Sequence, residues 1–447
     1  MYFTSFFPIF LLAVIFALRG PVQWAQATAF MAFFQASAPV LLGMGGRAVG
    51  LAPAYMLLPI VLIHLIKQIS PTPVSREQKT IAIEVWLLGY FTLIGSVGAV
   101  LLPRLFQTYV KVLPTRFGLD SGFVIPLKPE TTNYLQAIYL IFNLCLVIAP
   151  IALSKKGFKM SEGIIIGTVA GALVSALLGF YQVLAYHTGL PWPADVINSN
   201  WGLKQLEDQT MFGFKRMSST FLEPALLALH FLAAFGLMML GQKRWKAGVI
   251  VLFALLLSTS STAYVGFILM MTVWIALNYK KLNAQTFKVA GAVVLLVCIV
   301  IGADLFTTGG QYAENLLLKK MSAGSGEVRL NADALAWQSL RDSFGMGVGV
   351  GSLRASSLIA TLFASVGIPA ALCFAGFVGM VLYKLGKSAN PNASGLLFCM
   401  IGVLSAWAIS IPDWSMPIFW LIAGAAIIEI YRKPIDILEP AACKSPA

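Results

Sequence analysis

Charged side chains are scarce in this sequence. Only 11% of its 447 residues are Asp, Glu, Lys or Arg, whereas 58% are hydrophobic. A soluble domain carries about 25% charged residues, so a chain that must cover itself with a water-facing surface is excluded. The apolar residues fall instead into blocks of about 17–25, the length that a helix needs to cross a hydrocarbon core. Helices satisfy their own backbone hydrogen bonds, which lipid cannot do.

Residues that bind metals are also few. The chain has three histidines and five cysteines, and their spacing does not match that of a metal site. No cluster of carboxylates accompanies them, so we expect neither a catalytic metal nor another cofactor. Four of the cysteines lie inside apolar blocks, and we expect no disulfide bond.

The apolar blocks predict an all-α polytopic membrane protein of about 12–13 transmembrane helices, folded as one integral membrane domain over residues 1–447. The first block has neither a basic residue before it nor a small-residue cleavage site after it, so we interpret it as a retained helix. Segment 24–42 is open to two readings: it crosses the membrane and places the N-terminus outside, or it is re-entrant and places the N-terminus inside. The candidate spans are 3–18, 24–42, 51–69, 81–103, 131–153, 162–187, 219–241, 246–258, 261–279, 286–306, 355–383, 393–411 and 415–431.

Lysine and arginine are concentrated in alternate connections between these spans. Short loops rich in these residues stay in the cytoplasm, so six connections in phase predict a cytoplasmic C-terminus. The other connections then face outward, including the loops 188–218 and 307–354 and the short turn 412–413. Both long loops carry nearly balanced charges. The net charge of +13 is therefore mainly a topological signal, and nucleic acid is not an expected partner.

Polar residues collect at the outer ends of the predicted helices. Transporters usually carry ionisable residues at mid-membrane, or broken helices in matching halves. Here the interiors of the spans contain few ionisable groups: Glu84, Glu223, His64 and His230. This distribution favours a site at the outer face of the membrane over a central pathway.

The first polar cluster is the sequence RMSSTFLEP at residues 216–224, at the outer mouth of a predicted helix. Serine and threonine can cap free amide groups there, and a helix N-terminus attracts anions. Arg216 offers a planar fork suited to phosphate. Glu223 would lie a turn inside the span, where a carboxylate is costly unless it is paired or used. The alternative is a capped helix in which Arg216 reaches the lipid headgroups and Glu223 is paired with an arginine.

The second cluster runs from residue 319 to 354. Within it, 328–343 is predicted to be a surface helix, and Arg329 and Asp333 are spaced to form a local ion pair. The sequence GMGVGVGSLRASS follows at 345–357, and its alternating glycines could let backbone amides converge on an anion. The stretch is not a nucleotide loop, since the Lys-Ser/Thr end of such a loop is missing. A flexible hinge is the alternative to anion binding. The arginine that follows at a helix mouth, Arg354, makes the stretch an indication of phosphate binding.

Together these stretches resemble the O-antigen polymerase and O-antigen ligase superfamily, bacterial enzymes that join lipid-linked glycans. RMSSTFLEP is similar to the R-x-S-x-x-F-x-E-P stretch of exopolysaccharide polymerases. The other similar parts are the hairpin at 258–266 and the glycine-rich turn that leads into LIATLFASVGIP at 358–369. Ligases commonly carry a His-Asn pair where this chain has residues 354–357, and an arginine in the hairpin that is missing here. Both differences favour a polymerase.

The resemblance implies metal-independent glycosyl transfer at the periplasmic face of the bacterial inner membrane. The donor would be an oligosaccharide on undecaprenyl diphosphate, and the acceptor a sugar hydroxyl of a second lipid-linked unit. Fixed cations would stabilise the diphosphate as it leaves, and Glu223 would act as base or orient an arginine. The expected diphosphate-binding residues are Arg216, Arg329 and Arg354, with Lys320 and Ser356 assisting.

Several other interpretations stay open at this point. A ligase that transfers glycan to lipid A core differs only in its acceptor. A flippase or other transporter of lipid-linked oligosaccharide is a different class, and a non-catalytic assembly component is a third. The candidate partners are membrane lipid and a chain-length regulator or other polysaccharide assembly proteins.

Overall fold

The computed structural model describes residues 1–44, 47–68, 82–115, 123–203, 205, 208–211, 214–279, 325–410 and 413–432. The chain is an all-α polytopic membrane protein, as predicted. The helices are α1 (Phe7–Leu18), α2 (Pro21–Met31), α3 (Pro53–Met56), α4 (Leu58–Lys67), α5 (Ile83–Leu105), α6 (Thr131–Ser154), α7 (Met160–Thr188), α8 (Ala194–Ile197), α9 (Pro224–Phe235), α10 (Trp245–Leu257), α11 (Ser261–Asn278), α12 (Ser325–Asp342), α13 (Leu358–Lys387), α14 (Ala393–Ile409) and α15 (Pro417–Tyr431).

Six helices are long and apolar enough to cross a membrane: α5, α6, α7, α9 with its π-helical continuation Gly236–Gly241, α11 and α13. Five shorter apolar stretches, of 10–17 residues, complete the bundle. They are α1, α3 with α4, α10, α14 and α15. The predicted span 286–306 lies outside the described residues.

Short antiparallel strand pairs make up the small amount of sheet. The largest of these sheets has three strands in the order β1-β2-β3, with Phe3 opposite Val40 and Leu41 opposite Gly50. The strands are β1 (Tyr2–Phe3), β2 (Val40–Met44), β3 (Arg47–Gly50), β4 (Lys111–Val112), β5 (Ile125–Pro126), β6 (Thr210–Met211) and β7 (Phe214–Lys215).

Three predicted spans have different boundaries in the structure. Segment 24–42 is helical only as far as Met31 and then enters β2, and its 11-residue helix is about 17 Å long. It therefore does not cross the membrane as one helix. Segment 51–69 is divided between α3 and α4, and segment 219–241 becomes helical only at Pro224. Pro21, Pro53 and Pro224 each occupy a first helical turn, because proline has no N–H to lose there and its fixed φ suits the helix.

Two basic residues from different connections, Lys384 and Arg432, lie at one end of the bundle, which we call the basic end. Lys384 of α13 forms an ion pair with the fully buried Glu84 of α5 at 2.6 Å, and the Tyr431 hydroxyl donates to the same carboxylate. Arg432, after α15, pairs with Glu162 of α7 at 3.3 Å. These contacts join the ends of α13 and α15 to the starts of α5 and α7. The opposite end, where α5 and α7 end and α6, α9 and α13 begin, is called the loop end.

The chain before α9 lies well below the rim of the loop end. The amides of Ser218 and Ser219 donate to Gln182 Oε1 at 3.0 and 2.8 Å, and Thr220 bonds the Ser175 hydroxyl at 2.8 Å. Ser175 precedes the end of α7 at Thr188 by 13 residues, which is about 20 Å of helix. We call this inset position of residues 216–223 at the loop end, with Glu223 as its last residue, the recess.

Candidate functional site

Glu223 stands between the recessed segment and Pro224, the first residue of the spanning helix α9. Its side chain is half-buried and makes no hydrogen bond or ion pair with any residue that the structure describes. Burial raises the pKa of this carboxyl, and the charges of Arg354, Arg216 and Arg329 oppose that rise. Three guanidinium groups from distant parts of the chain thus act on one carboxylate, and none of them pairs with it.

Arg216 is held by the turn between α10 and α11. Its Nε donates to Thr259 Oγ1 at 3.1 Å and its Nη2 to the Thr259 carbonyl at 3.4 Å, while Nη1 donates to Gln209 Oε1 at 2.8 Å. The neighbouring Met217 amide bonds the Leu257 carbonyl at 3.1 Å. The hydroxyl-rich turn at 258–262 therefore orients this arginine, besides allowing the two helices to approach.

The hydroxyl groups of Ser219 and Thr220 are used for packing. Ser219 donates to the Ser175 carbonyl and Thr220 to the Phe33 carbonyl, both at 2.5 Å. Together with the bonds to Gln182, they fasten the segment before α9 to α7 and to the end of α2. These two side chains therefore position Arg216 and Glu223. The sequence suggested that they cap the amides of α9, but they do not.

Arg329 is half-buried on α12, which is the surface helix predicted at 328–343. Within the described part of the chain it forms no ion pair with Asp333. That carboxylate instead accepts hydrogen bonds from the amides of Ser356 and Ser357, at 2.6 and 3.2 Å. The expected local ion pair is therefore wrong. Asp333 ties α12 to the start of α13, and the charge of Arg329 is left to act on Glu223.

The glycine-rich stretch does not form an anion cradle over residues 345–349. Its amides donate within the protein: Gly345 to Leu340 O, Gly347 to Ser343 Oγ, Val348 to Ala364 O and Gly349 to Ser365 O, at 2.9, 3.1, 2.9 and 2.9 Å. The four glycines at 345, 347, 349 and 351 have φ values of 77°, 83°, 89° and 86°, which side chains rarely adopt. Glycine is therefore needed at these four positions because it can adopt a positive φ and lets the backbone pack closely.

This stretch packs into a kink in α13 at Gly367, where φ is 78°. Beyond the glycines, the Val350 carbonyl accepts from Asn133 Nδ2 at 2.8 Å, and the Gly351 carbonyl from Thr132 Oγ1 at 2.9 Å. The Arg354 amide donates to the Leu113 carbonyl at 2.8 Å. The backbone of Arg354 is thus fixed, while its guanidinium is exposed and forms no hydrogen bond with the described residues.

The remaining predicted site residues have different outcomes. Ser356 is 8% exposed, and its amide is engaged by Asp333. Lys320 lies outside the described residues, so its assignment stays a prediction. Gln182 and Asp333 were not selected from the sequence as site residues, although they position the segments that carry Arg216 and Arg354. A glutamine inside the largely apolar span 162–187 was the available signal for the first of them.

No family model matches this chain, and no curated protein matches it significantly. The resemblance to the polymerase and ligase superfamily therefore stays a prediction based on the residues quoted above.

Replacing Asp333 with alanine is expected to lower the free energy of unfolding by about 1–2 kcal/mol, because two amides at the start of α13 lose their acceptor. Thermal unfolding of the purified protein in detergent measures this effect. Asp342→Ala is the control, since that residue is exposed on the same helix and its loss is expected to cost less than about 0.5 kcal/mol. Equal unfolding temperatures for the two variants would contradict this role of Asp333.

Proposed function

We propose that this protein is a membrane glycosyltransferase that polymerises lipid-diphosphate-linked repeat units of an exopolysaccharide or O-antigen. One observation carries the proposal: Arg354, Arg216 and Arg329 lie near enough to Glu223, at the loop end of a transmembrane bundle, for their positive charges to oppose the rise in the pKa of its carboxyl. A cluster of cations at one end of a membrane bundle suits a ligand that is both anionic and membrane-anchored. A polyprenyl diphosphate has these two properties.

The proposed reaction uses these cations on the leaving group. The acceptor hydroxyl attacks the anomeric carbon of the donor, the bond between that carbon and the diphosphate oxygen breaks, and its electron pair remains on the diphosphate. Positive charges already fixed at that oxygen stabilise the transition state more than the ground state. Arg216 is suited to this role because its guanidinium is already oriented by Thr259 and Gln209.

Glu223 has two candidate roles in this reaction. As a base it would accept the proton of the acceptor hydroxyl, and burial, which raises the pKa of its carboxyl, favours that role. As a positioning residue it would orient the arginines around it. In both roles the carboxylate has no ion-pair partner in the described structure, so a ligand would not have to break an ion pair to bind beside it.

The orientation of the protein is part of the proposal. The basic end would face the cytoplasm, because loops rich in lysine and arginine are retained there, and α15, the last described helix, ends on that side. The loop end with the recess would then face the periplasm of a bacterial inner membrane. The donor, undecaprenyl diphosphate carrying a repeat unit, would be bound from the outer leaflet.

Deleting the gene tests this function through the lipid-linked material that accumulates. Single repeat units on the periplasmic side are expected, together with loss of long polymer, and the wild-type gene is expected to restore it. Finished lipid-linked polymer would identify a ligase instead, and repeat units trapped in the cytoplasm would identify a flippase. Unchanged polymer of normal length would overturn the assignment to this pathway.

A further inference from the structure

Residues 413–416, just before α15, lie inside the bundle, whereas the sequence predicted an outer connection at 412–413. The Trp414 carbonyl accepts hydrogen bonds from Asn143 Nδ2 at 2.9 Å and from Trp420 Nε1 at 3.0 Å. Asn143 follows the first residue of α6, Thr131, by 12 residues, which is about 18 Å of helix. Asp413, next to Trp414, is therefore an ionisable residue deep below the rim of the loop end.

The packing of α9 against α14 places residues 413–416 near the depth of Glu223. The two helices approach closely at two points, where a Cβ on Gly402 would lie 2.6 Å from the Leu232 carbonyl oxygen and one on Gly236 would lie 2.4 Å from that of Phe398. Because the helices are antiparallel, extending this register brings the start of α9 level with the end of α14. Asp413 thus lies at about the same depth below the loop end as Glu223.

Asp413 has capacity for a further hydrogen bond. Its Oδ1 accepts from the amide and the hydroxyl of Ser415, at 2.8 and 2.6 Å, and its Oδ2 has no bond to a described residue. The negative charge of this half-buried carboxylate acts on the hydroxyls of Tyr55 and Tyr139, whose rings lie 5.1 Å apart. The Tyr55 hydroxyl is used, since it donates to Asn143 Oδ1 at 2.6 Å, but that of Tyr139 has no hydrogen bond within the described ranges.

A polar stripe on α6 faces the same region. Gln136, Tyr139 and Asn143 lie on one side of the helix, because they are three and four residues apart. Gln136 Oε1 is buried and has no hydrogen-bond partner among the described residues. Polar groups inside a membrane bundle are costly unless they are paired or used. Asn143 is paired twice, but Gln136 and Tyr139 are not.

We propose that Asp413, Tyr139 and Gln136 form a subsite for a neutral sugar of the acceptor. In the described structure Asp413 brings a negative charge to the two tyrosines, so this region differs from the arginine cluster and does not suit phosphate. Carboxylate and amide oxygens accept hydrogen bonds from sugar hydroxyls, and an aromatic ring packs against the apolar face of a sugar. This inference rests on the proposed glycosyl transfer, with the arginines holding the donor diphosphate.

The first test is whether water reaches the subsite from the loop end. In a background without native cysteines, Tyr139→Cys and Asp413→Cys are expected to react with a membrane-impermeant thiol reagent added from the periplasmic side. Ile138→Cys is the matched control. Its side chain is 45% exposed on the spanning helix α6 and is expected to contact lipid, so it should not react. Phe344→Cys, at an 86% exposed position of the loop end, is the positive control. Reaction of Phe344→Cys without reaction at Tyr139 and Asp413 would overturn the subsite.

The second test separates acceptor binding from donor binding. Asp413→Asn and Tyr139→Phe are expected to raise the KM for the acceptor by about 10-fold or more while binding undecaprenyl diphosphate within about twofold of wild type. Asp413→Glu is expected to recover part of the affinity. A merely structural role would lower the unfolding temperature and weaken undecaprenyl diphosphate binding as well.

The outcomes distinguish the two proposals. If Arg354→Ala abolishes polymer while Asp413→Asn and Tyr139→Phe keep the wild-type KM, the subsite is wrong and the glycosyl transfer stands. If deletion of the gene leaves polymer of normal length, the proposed function itself fails, whatever the subsite variants do.

Discussion

Replacing Arg354 with alanine is expected to reduce the rate of glycan polymerisation by about 10²–10³-fold, because one fixed cation at the leaving diphosphate is lost. The fold should be preserved, since the guanidinium of Arg354 is exposed and bonds no described residue. The rate of chain elongation by purified protein, supplied with lipid-linked repeat units, measures the effect. In cells, the same variant should make only short chains.

Arg341→Ala is the matched control for this experiment. Arg341 is also an exposed arginine at the loop end, at the end of α12, but its charge is not among those that act on Glu223. Its loss is expected to change the rate by less than about twofold. Arg354→Lys should give an intermediate rate, because the charge remains while the planar fork is lost. Elongation at the wild-type rate in Arg354→Ala would remove Arg354 from the site.

Replacing Gly367 with alanine is expected to lower the free energy of unfolding by about 2–4 kcal/mol, through backbone strain and a steric clash together. The φ of Gly367 is 78°, and a Cβ there would lie 2.3 Å from the carbonyl oxygen of Met346. The glycine-rich stretch cannot move away without losing its bonds to Ala364 and Ser365. Since this stretch carries Arg354, the elongation rate should fall at least about 10-fold.

Gly379→Ala provides the comparison within the same helix. No atom lies within 4 Å of a Cβ built at Gly379, so alanine should be neutral or should stabilise the helix by up to about 1 kcal/mol. Thermal unfolding and elongation rate are measured for both variants. If Gly367→Ala unfolds at the same temperature as Gly379→Ala, the kink does not depend on a glycine conformation.

The boundaries of the bundle show where sequence reasoning was reliable. The long helices α5, α6, α7 and α13 were predicted within a few residues, because a span of lipid requires a continuous apolar helix and nothing else satisfies the backbone there. The N-terminal region was less predictable. Residues 24–44 and 47–50 form the rest of a short helix and two strands, and hydropathy alone cannot distinguish that arrangement from a span.

In the site, too, some features could be predicted from the sequence and others could not. The types of residues that suit an anionic, lipid-anchored ligand could be selected from the sequence, since arginines at outer helix mouths are rare in an apolar chain. Their positioning groups could not. Asp333 was expected to pair with Arg329, four residues away, but it bonds amides more than twenty residues further along the chain. Local spacing predicts local partners, whereas tertiary packing supplied a distant one.

Composition and the phase of the basic loops were enough to determine that this protein is a polytopic membrane bundle, because the free energy of placing charge and bare backbone in lipid allows few alternatives. Only the tertiary structure decided that the glycines pack against a helix kink rather than around an anion, and that Asp413 lies deep in the bundle rather than at its surface. Both outcomes depend on which backbone groups meet across helices that are distant in sequence, and residue order alone does not encode those contacts in any local pattern.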